Sequence, residues 1–488
     1  MKSAPAWLSL FETAQKTPSS LRNQVCLMLR KAILNGQLVL GEKLPATRQL
    51  ALDIGISRVT AEAAYSQLEA EGYVIRKTGD GTYVALDQPF TQRTAASPPN
   101  SNATHSLSAR GQRIIQGGGC QDPLTPLPFA AGSPDLNAFP TKVWQQLTQK
   151  VFRQHQHRLF SYGDPQGYAP LREALASYLA QSRGVQCHAS QLIILSSSQQ
   201  ALQLISTLLI DEGDTVWVED PGYNGAKTAF SAMGATLCPI PVDDQGLNWD
   251  DTPAAKPPKL IYTTPSHQYP TGAALSLPRR LALLAMAKQE HAWVIEDDYD
   301  SEFQYDARPL PALQGLSNSQ RVIYIGTFSK VLFPSLRIAY MVLPPELVVP
   351  FTTARTVYDG HTPQFTQAVT AEFIHAGHFS AHIRHMRQLY KGKRNQFLTW
   401  LDEIQPPYPP IGFNGGLQLT LPLEKGSEQP LTLQAKKLGL LTPGLSPMHL
   451  NPTTSKEGWV LGYSALSLET LNKATQQLKS IFHTANVR

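Results

Sequence analysis

The sequence predicts a multidomain protein with a small, mainly α-helical N-terminal domain and a large α/β domain. Three observations lead to this fold class. The chain has 488 residues, which is more than one domain usually holds. Its composition shifts over residues 87–128, which are rich in Pro, Ser, Thr, Asn and Gly. Beyond them, apolar runs alternate with helical patterns, which is typical of a mostly parallel sheet covered by helices.

The overall composition is that of a folded, globular protein. Hydrophobic residues make up 42% and charged residues 16% of the chain, and the formal net charge is +5. This mild excess permits nucleic-acid binding without requiring it. The sequence has no apolar run of membrane-spanning length and no signal-peptide pattern, so we expect a cytoplasmic protein with no membrane partner. The cysteines are too far apart for a metal motif, and we expect no metal site; they are Cys26, Cys120, Cys187 and Cys238.

Residues 87–128 predict a linker, because structureless loops of this length are uncommon within one domain. Their Pro and Gly content indicates a segment that is partly extended and partly flexible. The predicted domains are therefore residues 1–86 and 129–488. Residues 1–86 contain ten Lys or Arg against seven Asp or Glu, so this small domain holds more than half of the positive excess.

The N-terminal domain has the pattern of three helices. Apolar residues at helical spacing predict the first over residues 21–34. Pro45 would open the second and Gly55 would end it, and Ser57 would cap the third. The short turn between the second and third helices is the shape of a helix-turn-helix. The apolar positions of the third helix would be Val59, Ala63, Leu68 and Tyr73.

A β-hairpin is predicted directly after these helices. Residues 74–84, VIRKTGDGTYV, form two β-rich stretches around an Asp-Gly turn. A helix-turn-helix followed by a hairpin is a winged helix, whose third helix enters the major groove of double-stranded DNA. Arg48 and the wing residues would contact phosphates or the minor groove. The predicted DNA-binding residues are Arg48, Ser57, Arg58, Thr60, Arg76 and Lys77.

Three stretches of this domain carry a family resemblance. LPATRQLA, GISRVTAEAAYSQLEAEGYV and GDGTYV follow one another over about 65 residues. In order and spacing they resemble the DNA-binding domain of GntR-type bacterial regulators. The resemblance implies a double-stranded DNA operator as partner. The alternative is that the three helices are only a packing module and that the basic residues form a solvated face.

The large domain places reactive side chains after predicted strands. The strand candidates are LIILS, DTVWVED, KLIYTTP, AWVIEDDYD and RVIYIGT. Ligands of parallel sheets bind beyond the carboxyl ends of the strands. Lys330, Asp297, Tyr299 and Tyr223 follow such strands, and residues 196–198 are three serines that open a helix, where backbone amides can hold a phosphate.

Together with Arg337, these residues fit pyridoxal 5′-phosphate. The lysine forms the Schiff base, and the carboxylate keeps the pyridine nitrogen protonated. Each residue alone has an ordinary structural explanation. Lys330 could be an exposed lysine, Asp297 a helix cap and Tyr223 a core residue. Their joint occurrence favours the cofactor.

Longer motifs in this domain resemble fold type I aminotransferases over about 350 residues. They are YGDPQGYAPLREALASYLA, EDPGYNGA, TPSHQYPTG, EDDYDSEF and GTFSKVLFPSLRIAY, in family order. The whole chain resembles MocR-type regulators, which fuse a GntR-like DNA-binding domain to an aminotransferase-like sensor. The implied fold is a winged helix-turn-helix joined to a fold type I aminotransferase-like α/β domain.

The resemblance assigns ring contacts to individual residues. Lys330 would bind the cofactor covalently, and Asp297 would pair with the pyridine nitrogen. Tyr299 and Gln268 would lie near the ring hydroxyl, and Tyr223 would stack on the ring.

It likewise assigns contacts to the phosphate. Tyr162 matches a tyrosine that crosses the dimer interface of aminotransferases, which implies a homodimer. The other implied phosphate contacts are Ser197, Ser198, Gln199, Thr327 and Arg337.

Two positions depart from the family pattern. Ser197 stands where glycine is more frequent. Val460 stands near the place of the arginine that binds the substrate α-carboxylate, and the closest basic residue is Lys456. A carboxylate prefers a planar, bidentate partner, so ordinary amino-acid transamination is in doubt. This leaves open an effector without an α-carboxylate, or pyridoxal phosphate itself as the effector.

These observations predict a bacterial transcriptional regulator. DNA binding by the winged helix would be modulated by pyridoxal phosphate or by an amino compound that reacts at Lys330. We expect a sensor domain without sustained turnover. One alternative is an active aminotransferase with an appended DNA-binding domain. Another is a degenerate pocket in a domain that serves only as a dimerisation scaffold.

Overall fold

The computed structural model describes residues 7–15, 19–86, 107–118, 126–250, 256–306, 311–316, 320–453 and 455–485. The chain divides into two compact units, Met1–Ser106 and Leu107–Arg488. The boundary falls inside the predicted linker.

The first unit is a winged helix, as predicted. Ser20 caps α2, Gly55 ends α3 in the left-handed conformation at φ +70°, and Ser57 caps α4. Residues 74–84 form the predicted hairpin, with Val74 opposite Val84. The elements are α1 Trp7–Gln15, α2 Leu21–Leu34, α3 Thr47–Ile54, α4 Arg58–Ala70, β1 Val74–Lys77 and β2 Gly81–Val84.

The core of this unit lies between the helices and the base of the hairpin. Buried residues include Leu29, Leu50, Leu68 and Val74. Two predicted positions of the third helix are wrong. The side chain of Val59 is 78% exposed, and Tyr73 lies beyond the end of α4 at Ala70. The buried face of α4 follows the helical repeat through Ala61, Ala64, Tyr65 and Leu68, and a residue in the first turn at position 59 falls outside it.

The second unit contains a large sheet with helices on it and a smaller C-terminal sheet. Its helices are α5 Ala109–Gln116, α6 Thr141–His155, α7 Ala169–Arg183, α8 Ser198–Leu209, α9 Asn224–Ala232, α10 Leu277–Gln289, α11 Leu313–Leu316, α12 Pro345–Tyr358, α13 Gln364–His375, α14 His378–Ile404, α15 Glu428–Lys437 and α16 Leu468–Ala485. Its strands are β3 Leu192–Leu195, β4 Thr215–Asp220, β5 Thr236–Asp243, β6 Gly246–Leu247, β7 Leu260–Thr263, β8 Trp293–Asp298, β9 Val322–Thr327, β10 Ala339–Val342, β11 Gln418–Pro422 and β12 Gly458–Gly462.

The large sheet is mixed and mostly parallel. Its strand order in the described chain is β3-β10-β9-β8-β7-β4-β5-β6. Strands β4, β5, β7, β8 and β9 pair in parallel, whereas β10 runs antiparallel to both β3 and β9. The central strands are buried, which suits their continuous apolar runs. The five predicted strands therefore all point their carboxyl ends to one edge.

The C-terminal part of this unit contributes the two-stranded antiparallel sheet β11–β12. Gln418 is opposite Gly462 in this sheet, and Thr420 is opposite Val460. The long helix α14 packs on α16 beside it. Phe129, from the start of the unit, bridges to Gly462, so the segment before α6 runs along β12.

Part of the predicted linker is helical. Helix α5 lies within residues 87–128 and packs on α9. Its Arg113 guanidinium also pairs with the carboxylate of Glu212, which lies between α8 and β4, at 3.2 Å. Residues 87–106 and 119–125 of that range lie outside the described residues. The remaining domain limits stay predictions.

None of the described helices combines the length and the apolar composition that a membrane crossing requires. Within the described ranges, no group of His, Cys, Asp and Glu side chains has a metal-binding arrangement. Cys26, Cys187 and Cys238 are free thiols, and Cys120 lies outside the described residues.

Candidate functional site

The candidate cofactor site lies at the carboxyl edge of the large sheet. Strands β3, β4, β7, β8 and β9 end there. The segments that follow them carry the predicted site residues, because parallel strands deliver their next residues to the same edge.

Asp297 is buried at the end of β8. The Tyr262 hydroxyl donates to its Oδ2 at 2.8 Å, whereas Oδ1 has no hydrogen-bond partner among the described residues. Burial raises the pKa of Asp297 to about 7, with partial relief from the Tyr262 hydroxyl. A buried carboxylate oxygen without a partner fits a protonated ring nitrogen, so this residue suits pyridoxal phosphate.

Lys330 follows β9 and is half-buried. Gly132, at φ +67°, lies beside it, and a Cβ built on Gly132 would be 3.1 Å from Lys330 Nζ and 3.6 Å from Gln418 Oε1. The glycine therefore keeps the space beside the lysine amine open. Sequence reasoning missed Gly132 and Gln418, because nothing in their local sequence marks them and only the fold brings them to Lys330.

A buried cluster surrounds the hydroxyl of Tyr299. This hydroxyl lies 3.1 Å from His267 Nδ1, which also lies 3.1 Å from both carboxylate oxygens of Asp300. Burial alone would lower the pKa of His267, but the Asp300 carboxylate outweighs it, so the pKa lies above its ordinary value. Sequence reasoning gave His267 and Asp300 no role, although the acidic run EDDYD after a strand was a usable signal.

Gln268 is buried, and its amide is engaged by the protein. Its Nε2 donates to the Pro221 carbonyl at 2.8 Å and to Glu219 at 3.1 Å, which ties the loop after β7 to the end of β4. The ring of Tyr269, which the sequence did not single out, lies 6.0 Å from the rings of both Tyr223 and Tyr299. The structure therefore places Tyr269 between the two tyrosines predicted to contact the cofactor ring.

Three of the predicted phosphate contacts, Ser197, Ser198 and Gln199, lie at the start of α8. Ser197 caps this helix by accepting from the Gln200 amide at 3.1 Å, which leaves Ser198 as its first residue. The φ of Ser197 is −168°, extended backbone that any residue adopts, so the departure from glycine is harmless. A helix N-terminus of this kind favours an anion.

The remaining phosphate candidates lie on three segments. Gln199 Nε2 donates to the Gly225 carbonyl at 2.9 Å, and Thr327 Oγ1 accepts from the Ser329 amide at 3.1 Å. Arg337 is exposed, and its guanidinium forms no hydrogen bond or ion pair with the described residues. Tyr162 is 97% exposed and packs edge-on against His361. The structure thus leaves Arg337 and Tyr162 available to groups outside the described chain.

The position of the expected carboxylate-binding arginine is apolar. Val460 is fully buried and lies opposite Thr420 across β11–β12, so the two side chains share a face of that sheet. The Thr420 hydroxyl donates to the Pro270 carbonyl at 2.8 Å, so this face is turned to the loop after β7. Lys456 is exposed.

The candidate DNA surface is the start of α4. Ser57 Oγ accepts from the Thr60 amide at 3.1 Å and lies 2.8 Å from Thr60 Oγ1, which fixes the first turn of the helix. Arg58 is exposed on this turn, and Arg48 is exposed on α3.

The two predicted wing contacts differ in their surroundings. Arg76 pairs with Glu62 at 2.7 Å and with Glu69 at 3.1 Å, and these ion pairs link the hairpin to α4. Lys77 is exposed, with its ammonium over the Tyr83 ring. Lys43, which the sequence did not single out, also lies over this ring and pairs with Asp80 at the hairpin turn.

Comparisons with known proteins agree with this geometry. The model of the family Aminotransferase class I and II matches residues 126–454, and that of the Bacterial regulatory proteins, gntR family, matches residues 21–84. The chain is 37% identical over 466 residues to the probable rhizopine catabolism regulatory protein MocR of Rhizobium meliloti, covering 95% of this chain and 94% of that protein. It is 28% identical over 456 residues to the pyridoxine biosynthesis transcriptional regulator PdxR of Corynebacterium glutamicum, covering 93% and 94%.

A solved structure gives the same result for the second unit. The α-aminoadipate aminotransferase LysN of Thermus thermophilus, complexed with N-(5′-phosphopyridoxyl)-L-leucine, matches with a TM-score of 0.69 and 28% identity. The match covers 78% of this chain and 96% of that one. The predicted fold class and the predicted pyridoxal phosphate cofactor are thereby confirmed. With an aminotransferase class I and II domain at residues 126–454 and a gntR-family domain at residues 21–84, the chain belongs to the MocR-type transcriptional regulators.

Proposed function

We propose that this regulator binds a DNA operator through its winged helix, and that pyridoxal phosphate or an amino compound reacting at Lys330 changes this binding. One observation carries the proposal. The site keeps the lysine and an unpartnered oxygen of Asp297 for the cofactor, yet has Val460 where the carboxylate-binding arginine is expected. Such a site suits the detection of a ligand better than the transamination of amino acids.

Different residues of this chain would hold different parts of the cofactor. Lys330 would bind it covalently, and Asp297 would hold the proton on the ring nitrogen. Tyr299 and Tyr223 would contact the ring. The start of α8 would hold the phosphate, with Thr327 and Arg337 beside it. When bound, the cofactor supplies an electrophilic carbon that primary amines attack.

Helix α5, the first helix of the second unit, is linked by contacts to the candidate site. Tyr223 is the residue that precedes α9, and α5 packs on α9. The Thr228 hydroxyl of α9 donates to the Gly117 carbonyl at 3.2 Å, just beyond the end of α5. A ligand that moves Tyr223 would therefore bias α5, provided that it binds the two arrangements with different affinity.

The exposed start of α4 supports an operator as partner. Arg58 is positioned to contact base edges, and Arg48 to contact phosphate. Exposed aromatic side chains on the second unit support a homodimer. Phe152 and Phe160 are 53% and 65% exposed with their rings 6.2 Å apart, and Tyr162 follows them. A dimer would present two winged helices to two half-sites.

The names of the relatives suggest the effector class and the compartment. One relative is named as a regulator of pyridoxine biosynthesis and another as a regulator of rhizopine catabolism. These names support vitamin B6 and a small catabolised compound as the two candidate signals. A DNA operator as partner supports the cytoplasm as the compartment.

An active aminotransferase with an appended DNA-binding domain is the second candidate. The presence of Lys330, Asp297 and Tyr299 together favours it, and the apolar Val460 counts against it. Sustained conversion of an amino donor and a keto acid by the cofactor-loaded protein would support it.

The direct test of the proposal replaces the lysine. Lys330→Ala should abolish the visible absorption of the protein-bound cofactor and the response of DNA binding to pyridoxal phosphate, while the helical circular dichroism stays unchanged. Lys456→Ala removes an exposed lysine of the same unit and should leave both properties intact. A bound-cofactor band that persists in Lys330→Ala would contradict the assignment.

A further inference from the structure

Gln418 has a buried side chain in which one polar atom lacks a hydrogen-bond partner among the described residues. It is the first residue of β11 and is 2% exposed. Its Nε2 donates to the Tyr299 hydroxyl at 3.4 Å, a long hydrogen bond. Its Oε1 has no hydrogen-bond partner among the described residues. The structure thus holds an amide oxygen out of water without a donor.

This oxygen and the reactive lysine amine both lie next to Gly132. The position that a Cβ on Gly132 would occupy lies 3.6 Å from Gln418 Oε1 and 3.1 Å from Lys330 Nζ. Gly132 has neither a side chain to fill this space nor a backbone conformation that other residues favour. A small molecule that reaches the lysine amine therefore also meets the amide oxygen.

A buried acceptor without a partner lowers the stability of the folded protein. Native proteins pair nearly all such atoms, so an exception has a physical reason. The residues that suit the cofactor ring and phosphate have been assigned above without Gln418. The missing donor is therefore expected from the second ligand, the molecule that reacts at Lys330.

The sheet face around Gln418 offers no cationic partner to a carboxylate. On the face of β11–β12 that carries Gln418, the neighbouring positions are Gly462, Thr420 and Val460, none of which is charged. A carboxylate would need a guanidinium or comparable donors and would repel an amide oxygen. A neutral O–H or N–H group can donate to it.

We propose that Gln418 selects the effector, which is an amino compound with a hydroxyl or amide N–H donor close to its amine and no carboxylate there. This inference rests on the proposed function, because it requires that amines react at Lys330. It adds the chemical class of the amine and the residue that recognises it.

The test uses the full chain loaded with pyridoxal phosphate and three small amines of similar size. The probes are 2-aminoethanol, propylamine and glycine, which differ in carrying a hydroxyl, a methyl or a carboxylate. Titration of the visible absorption gives an apparent dissociation constant for each. The preference for 2-aminoethanol over propylamine is then compared between the wild type and Gln418→Met, so that the different basicities of the amines cancel.

We expect the preference to be at least about tenfold larger in the wild type than in Gln418→Met, the effect of one hydrogen bond to a buried acceptor. Glycine should be the weakest of the three probes. Gln418→Met should load cofactor normally, and its apoprotein should be as stable as the wild type or more stable, because an unpartnered acceptor is removed. Thr420→Val, on the same face, should lose stability with its bond to Pro270 and keep the wild-type preference.

Three results would overturn the proposal. The first is an equal preference for 2-aminoethanol over propylamine in Gln418→Met and the wild type. The second is a wild-type preference for glycine over the other two amines. The third is a visible absorption that none of the amines changes. Each of these leaves cofactor binding intact and so differs from a failure of the proposed function, in which the wild type would show no absorption from bound cofactor.

Discussion

The ionisation of the Asp297 carboxyl depends on what occupies the site. Its pKa of about 7 comes from burial, and its Oδ1 has no partner among the described residues. A cationic ring nitrogen next to it would lower this pKa, because opposite charges favour the ionised form. The state of this carboxyl therefore differs between the apoprotein and the cofactor-loaded protein.

The stability of the apoprotein should consequently depend on pH. The pKa of Asp297 is higher in the folded chain than its ordinary value near 4, so between these values the folded state binds a proton that the unfolded state releases. Stability then falls as the pH rises through this window, by about 1.4 kcal/mol per pH unit for one group. Buried Glu296 and Glu302 act in the same direction.

Asp297→Asn removes one of these groups. The unfolding midpoint of its apoprotein, measured by circular dichroism from about pH 5 to pH 7, should vary less than that of the wild type. The difference between the two pH profiles should shrink when pyridoxal phosphate is present, because the cationic ring nitrogen lowers the pKa of Asp297 in the wild type. Parallel pH profiles of the two apoproteins would show that Asp297 does not titrate in this range.

Arg58 and Arg48 should affect DNA binding in different ways. Arg58→Ala should weaken operator binding by about 1–3 kcal/mol and relax the choice of bases, since Arg58 lies at the start of the recognition helix. Arg48→Ala should weaken binding to all sequences alike and reduce the salt dependence by about one phosphate contact. Fluorescence anisotropy at several salt concentrations distinguishes the two. Unchanged affinity in Arg58→Ala would mean that another part of the unit reads the bases.

At the residue level, the sequence predicted the reactive groups better than their neighbours. Lys330, Asp297 and Tyr299 follow strands, so the strand pattern alone brings them to one edge. The hydrogen bonds of Gln268, the place of Tyr269 and the carboxylate beside His267 depend on how loops fold. Val59 was misplaced because the helical repeat alone does not fix which residue of a first turn faces the core.

At the level of elements, helix α5 is the feature that the composition did not predict. It is an eight-residue helix with no fully buried residue, set in a Pro- and Gly-rich region. Its place depends on distant partners, the Glu212 carboxylate and the Ala232 carbonyl, both of which the Arg113 guanidinium contacts. By contrast, the strands of the large sheet were predictable, because buried parallel strands form continuous apolar runs.

Gly117 provides a way to loosen α5. A Cβ on Gly117 would come within 2.6 Å of Thr228 Cγ2, and its φ of −66° suits alanine. Gly117→Ala should therefore push the end of α5 away from α9 without straining the backbone. Faster amide hydrogen exchange in residues 109–116 should follow, together with a smaller effect of pyridoxal phosphate on operator affinity.

The double variant Gly117→Ala with Thr228→Ala serves as the control. The second substitution removes Thr228 Cγ2 and Oγ1, the two atoms closest to the new Cβ. The double variant should recover the slow exchange and the response to pyridoxal phosphate more fully than the single one. If Gly117→Ala loosens α5 while the response keeps its full size, α5 does not carry the signal.

At the scale of the whole molecule, the chain joins a DNA-binding unit to a cofactor-binding unit. Their joint occurrence could be predicted because each has its own motifs, separated by a change in composition. The contacts beside Lys330 could not be predicted from the sequence, because Gly132, Gln418 and the lysine come from distant parts of the second unit. Non-local pairing such as that of β11 with β12 leaves no signal in either segment alone.

The function of such a protein lies in the coupling between its two ligands. If pyridoxal phosphate changes operator affinity by some factor, the operator must change pyridoxal phosphate affinity by the same factor. A coupling of about 1–3 kcal/mol, or five- to 150-fold, is usual for regulated proteins. Both factors can be measured on the same protein.

The most direct test is therefore this pair of measurements on the full chain at one salt concentration. Operator affinity is measured with and without pyridoxal phosphate, and pyridoxal phosphate affinity with and without the operator. We predict the same factor, different from one, in the wild type and a factor of one in Lys330→Ala. If the wild type shows a factor of one with pyridoxal phosphate and with every amine tested, the two units act independently and the proposed coupling is wrong.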